Sequence, residues 1–185
     1  GAGAGADYDG TLIKLAGITA PPTIDDLPGL TFVNAAPVVD GVGQSSGALG
    51  FDGVDDQVVI TNSANVIPGG ASFTVETWIK PDAALTPWAG IISNKPTTAG
   101  EYGDGINILF RADLTLRTDI GWGSGYGTAE APAVDLLDGQ WHHVAVVYDH
   151  AALTFTTYVD GQAGTPLDMP AAYVGNTNDL RFGND

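Results

Sequence analysis

The chain has no cysteine, one methionine and only six basic residues among 185. Without cysteine there is no disulfide scaffold, no thiolate metal site and no cysteine nucleophile. Six basic residues face 22 acidic ones, for a net charge of −16. Nucleic acid would be repelled, because its binding rests on Lys and Arg neutralising phosphates. An anionic membrane surface is disfavoured for the same reason. No apolar run approaches the ~20 residues that span a bilayer, so no membrane insertion is expected. Nor does any stretch sustain the 3.6-residue period of an amphipathic helix, which leaves strands and turns to build the fold.

Those turns are well supplied. The chain has 26 glycines and 11 prolines, spread too evenly for a disordered tract, and 44% hydrophobic residues, enough for a sizeable core. One β-rich domain is the reading that this length favours. The acidic surplus suits a solvated extracellular surface, a halophilic setting or divalent-cation binding. The chain opens on Gly1 rather than Met, as expected of a processed or excised piece.

Residues 1–10 begin as a Gly/Ala alternation and read as a flexible lead-in, leaving 11–185 as the sandwich domain. Residues 11–15 and 30–33 are candidate short strands separated by the Pro21-Pro22 and Pro28-Gly29 turns. From residue 48 the pattern strengthens. Strands are expected at 48–51, 57–61, 73–80, 90–93, 106–111, 114–118, 141–148, 155–159 and 179–182. In the clearest of these, Phe73, Val75, Thr77 and Ile79 share one face, while Thr74, Glu76, Trp78 and Lys80 share the other. Short strands at this spacing describe an all-β, antiparallel sandwich or barrel.

Four ordered segments then carry a resemblance. They are Ala48-Leu49-Gly50-Phe51-Asp52-Gly53-Val54-Asp55-Asp56, Phe73-Thr74-Val75-Glu76-Thr77-Trp78-Ile79-Lys80-Pro81, Asp138-Gly139-Gln140-Trp141-His142-His143-Val144-Ala145 and Tyr158-Val159-Asp160-Gly161. Together they resemble the laminin-G-like domains of the concanavalin-A-like lectin/glucanase superfamily, from about Gly43 onward and more loosely at Asp9-Gly10-Thr11-Leu12. The resemblance implies an antiparallel jelly-roll β-sandwich. It also implies a first strand before Asp9 and a closing strand after Gly183, neither of which is visible in the sequence. Their absence is expected to leave open edges beside residues 11–15 and 179–182, covered by another segment or another copy.

Asp52, Asp55 and Asp56 crowd three carboxylates into one turn, which suits either Ca²⁺ or a turn that bonds its own backbone. Family members often carry a structural calcium, so the resemblance implies Ca²⁺ as the one cofactor to expect. Trp88, Tyr102, Trp122 and Tyr126 fall in glycine-rich or proline-punctuated segments. Exposed there, their flat rings would stack on sugars; buried, they would cap the core. Residues 121–127 contain a Gly-x-Gly pattern, but no βαβ unit surrounds it, so nucleotide binding is rejected. His142 and His143 point to opposite faces of one strand, which argues against a shared zinc site. The three glutamates, Glu76, Glu101 and Glu130, do not form the Glu-x-Asp-x-x-Glu strand motif of the superfamily's glucanases, so no enzyme is expected. The combined expectation is a secreted or cell-surface, non-catalytic module that binds glycan or a surface polymer. The alternative is a building block of an extracellular filament, layer or adhesin, joined by protein–protein contacts.

Overall fold

The computed structural model of the protein describes residues 30–33, 36–39, 45–81, 85–96 and 103–183. Expectations for residues 1–29, including the lead-in and the strand at 11–15, lie outside these, as do those for Glu101 and Tyr102. The described strands are β1 (Leu30–Val33), β2 (Ala36–Val39), β3 (Ser45–Gly50), β4 (Gln57–Ile60), β5 (Phe73–Ile79), β6 (Gly90–Ser93) and β7 (Ile106–Phe110). They continue as β8 (Leu116–Gly121), β9 (Tyr126–Glu130), β10 (His142–Asp149), β11 (Thr154–Val159), β12 (Gln162–Ala163), β13 (Leu167–Asp168) and β14 (Leu180–Phe182). One 3-10 turn, Ser63–Asn65, is the sole helical element among the described residues, and no helix there could cross a membrane.

The strands form two main antiparallel sheets. One has seven strands in the order β1-β4-β14-β6-β7-β8-β9, and the other runs β12-β11-β10-β5 with β13 also on β11. β2 and β3 make a separate hairpin. Alternation decides which residues enter the core. Val75, Val144, Val146, Tyr148, Phe155 and Val159 of the smaller sheet meet Val58, Ile106, Ile108, Phe110, Leu116, Ile120 and Leu180 of the larger one in a single buried cluster. This is the all-β antiparallel sandwich that the resemblance implies. Two polar residues cross that apolar layer: the hydroxyls of Thr118 on β8 and Thr157 on β11, both fully buried, hydrogen-bond to each other.

Four details depart from the sequence reading. The strand expected at 114–118 starts at Leu116 and runs to Gly121, because Asp113 turns the chain first. Its carboxylate accepts from the Thr115 amide at 3.1 Å and the Thr115 hydroxyl at 2.7 Å, while Leu114 takes a left-handed backbone at φ 63°. Second, residues 126–130, read as loop, form β9, which pairs with β8 through five register positions. Its Gly127 and Ala129 carry little strand propensity of their own, so the neighbouring strand decides. Third, Ala36–Val39 forms β2, a strand the sequence did not mark out. Fourth, no open edge lies beside residues 179–182: β14 is hydrogen-bonded to β4 on one side and β6 on the other. Among the described strands, the ends of the larger sheet are β1 and β9, and β5 ends the smaller one.

Candidate functional site

The outward face of the seven-stranded sheet carries an ordered polar row. Where Ile106, Ile108, Thr118, Ile120 and Ala129 point inward, their neighbours must point out. Register sets Arg181 beside Ser93, Ser93 beside Asn107, Asn107 beside Asp119, and Asp119 beside Thr128. Five consecutive strands thus contribute one hydrogen-bonding side chain each. One step along, Leu109, Arg117 and Glu130 form a parallel row.

Asp119 is the hub. It is only 3% exposed, and its carboxylate accepts from Lys95 Nζ at 3.1 Å, Arg117 Nε at 2.8 Å and Thr128 Oγ1 at 2.6 Å. Burial lowers the Lys95 ammonium below its ordinary pKa, while the neighbouring Asp119 charge opposes that shift. Arg117 moves the other way: burial would lower it, but its bond to Asp119 prevails and raises it. Arg111, just past β7, donates both its Nη2 bonds to Glu130, at 2.7 and 2.9 Å. Arg181 pairs with Asp179 at 3.3 Å. Four of the six basic residues of the chain therefore stand on or beside this face, each against a carboxylate. Such pairs form a fixed grid of donors and acceptors.

Tyr126 borders that grid. Its ring is 44% exposed and its centroid lies 4.8 Å from Lys95 Nζ, close enough for a cation–π contact. The β8–β9 turn sets this position. Trp122 N donates to Gly125 O at 2.9 Å, and Gly123 takes φ +87°, a conformation that glycine adopts without strain. A side chain at Gly125 would meet the Trp122 indole at 3.2 Å, so the missing Cβ makes room for that ring. Trp122 itself is half-buried and packs on the core. Of the two aromatics in this segment, Tyr126 presents the open ring.

The other sequence candidates fall elsewhere. Trp88 is 51% exposed in the turn leading into β6, with a left-handed φ of 69°. Asp52, Asp55 and Asp56 do converge, with one carboxylate oxygen of each within 4.8 Å of the others. Part of this grouping is turn chemistry: Asp52 Oδ1 accepts from Val54 N at 2.8 Å, and Asp56 Oδ2 from Asp52 N at 2.7 Å. His142 is buried between two carboxylates, Asp160 at 2.8 Å and Asp138 at 3.0 Å, while His143 faces out beside Glu76 and Trp78. The two histidines do not converge.

Sequence reasoning passed over Lys95, Asn107, Arg117, Asp119 and Thr128. One local sign was present: Arg117 and Asp119, two apart with a small residue between, put opposite charges on one strand face. The three carboxylates on or beside this face, Asp119, Glu130 and Asp179, each bond a cation.

No curated protein matches the chain. Among solved structures, it is similar to the carbohydrate-binding module CBM66 from Bacillus subtilis, at 16% identity over 85% of this chain and 90% of that one, with a TM-score of 0.48. A model of a laminin-G-like family, described as concanavalin A-like lectin/glucanases superfamily, matches residues 31–185. That match spans most of the chain, which therefore belongs to the laminin-G-like family of the concanavalin A-like lectin/glucanase superfamily.

Proposed function

We propose that this chain is a non-catalytic recognition module that binds a neutral glycan on the outward face of its seven-stranded sheet. The observation that carries this reading is the exposed Tyr126 ring seated over Lys95, beside the grid centred on Asp119. A sugar ring stacks its apolar face on an aromatic, and its hydroxyls exchange hydrogen bonds with flanking polar groups. Arg117, Asn107 and Thr128 supply those groups. Neutrality of the ligand is argued from charge: each local cation already bonds a carboxylate, and the whole chain at −16 repels a polyanion. Such a module belongs outside the cell, secreted or on a surface, where polysaccharide is met.

Calcium fits this reading as a structural addition at Asp52, Asp55 and Asp56. Their three oxygens would be half or less of the 6–8 ligands that Ca²⁺ takes, with backbone carbonyls and water supplying the rest.

The test is calorimetric titration of the purified chain with neutral and anionic polysaccharides, with Tyr126→Ala as control. Saturable binding to a neutral polymer, weakened about tenfold in Tyr126→Ala, supports the proposal. Binding only to anionic polymers, or binding indifferent to Tyr126, overturns it. A second reading, a block assembled from copies, draws on β5, which ends the smaller sheet among the described residues with Trp78 44% exposed on it. Concentration-dependent mass by sedimentation, lost in Trp78→Ser, would favour that reading instead.

A further inference from the structure

Tyr126 and Trp88 are the large exposed aromatics nearest the polar face, and they stand at opposite ends of it. Tyr126 pairs with Gly121 at the end of β8 that adjoins the start of β7, since Gly121 N donates to Gly105 O at 2.8 Å. Trp88 precedes Ala89, whose carbonyl accepts from Phe110 N at 2.9 Å at the other end of β7. The two aromatics also lie on different sides: Tyr126 is on β9, and Trp88 leads into β6, with β7 and β8 between. The path from one to the other therefore runs obliquely across the sheet. Along the strands it covers the residues from 105 to 111, six steps of ~3.3 Å, or roughly 20 Å.

The ground between is mostly polar, with Leu109 on β7 as an apolar member. Thr128, Asp119 and Asn107 form one row, and Glu130 and Arg117 stand in the next, with Arg111 beyond. Each row advances two residues along the strand, so a ligand lying on the face meets a fresh set of donors and acceptors at each step. A single sugar ring on Tyr126 would leave most of this grid and all of Trp88 unused. Trp88 is moreover held in a left-handed backbone, an uncommon conformation for a bulky residue and one that clusters at functional sites.

Resting on the glycan reading above, we infer that the face binds the interior of an extended neutral polysaccharide, with Tyr126 and Trp88 stacking sugar units at its two ends. The ligand class is an unbranched chain of several linked neutral sugars, not a chain terminus or a monosaccharide. Recognition of an interior segment requires no group specific to a chain end.

The experiment is a chain-length series. Neutral gluco- and xylo-oligosaccharides, from monosaccharide to hexasaccharide, are titrated against the full chain, Tyr126→Ala and Trp88→Asn. Asparagine is chosen because it tolerates the left-handed backbone at residue 88. Affinity should climb by about tenfold or more between disaccharide and hexasaccharide. Trp88→Asn should abolish the gain at the long end, and a polymer with blocked chain ends should bind as well as the free one. Affinity that is flat from the monosaccharide upward would overturn the extended mode while leaving glycan recognition standing. No binding anywhere in the series, with circular dichroism confirming a folded chain, would remove both.

Discussion

Lys95 and Tyr126 are coupled through space: the ammonium lies 4.8 Å from the ring centroid while bonding the Asp119 carboxylate at 3.1 Å. The lysine comes from beyond the end of β6 and the tyrosine from the start of β9, so their meeting depends on the register of four strands. One consequence is that the open ring of the site is fixed from below by a charge, and the charge by a carboxylate.

Asp119→Asn should therefore be costly. It leaves Lys95, itself 9% exposed, without its buried counter-ion, and breaking such a pair by removing one partner costs about 3–5 kcal/mol. Urea denaturation measures it. Joining Asp119→Leu to Lys95→Met should recover a large part of that loss, because the buried ammonium goes too and only the more exposed Arg117 still loses its bond to Asp119. The double variant should still bind glycan poorly, since the grid is gone.

The hydroxyl pair across the core predicts non-additivity. Thr118→Val alone strands the buried Thr157 hydroxyl, at a cost of about 1–3 kcal/mol, whereas in Thr157→Val the Thr118 hydroxyl keeps its bond to the Ala129 carbonyl and the cost should be smaller. Both changes together leave no stranded hydroxyl, so the double variant should be no less stable than Thr118→Val. Thermal unfolding of the three variants checks this.

His142 makes stability depend on pH. Burial would lower its pKa, but the bonds to Asp160 and Asp138 prevail and raise it above its ordinary value. A raised folded pKa means stability that is fully present below the unfolded value of about 6.5 and lost as pH rises through the folded one. Asp160, despite the opposing effect of burial, and Asp138 are both held below the usual carboxylate range; their share is lost only as pH falls through those depressed values. The melting temperature should therefore peak on the mildly acidic side of neutrality. His142→Gln should remove the decline toward alkaline pH.

Calcium at the Asp52 turn predicts a melting temperature that rises with added Ca²⁺, falls on chelation, and stops responding in an Asp52→Asn/Asp55→Asn variant. By mass action, calcium at a hundredfold excess over its Kd would stabilise the fold by about 2.7 kcal/mol.

The sequence spoke clearly where burial is one-sided. Val75, Thr77 and Ile79 alternate with Glu76 and Trp78, and they enter and leave the core as that period demands. It was silent at β9, where Gly127, Thr128 and Ala129 have no pattern of their own and acquire strand geometry from β8. The candidate site was half legible. Tyr126 was visible as an aromatic among glycines, but Lys95, Asn107, Asp119 and Thr128 are scattered over some thirty positions. Only long-range register, which no local pattern encodes, makes them neighbours. Trp122 shows the converse: its glycine surroundings suggest exposure, yet the space they leave lets its ring fold down onto the core.

Mapping amide chemical shifts during titration with a neutral oligosaccharide reads whether glycan binds the face carrying Tyr126, Arg117 and Thr128. Perturbations should concentrate on β7, β8 and β9 and extend toward Trp88. Perturbations centred on Trp78 and His143 of the opposite sheet, or none at saturating ligand, would contradict binding at that face.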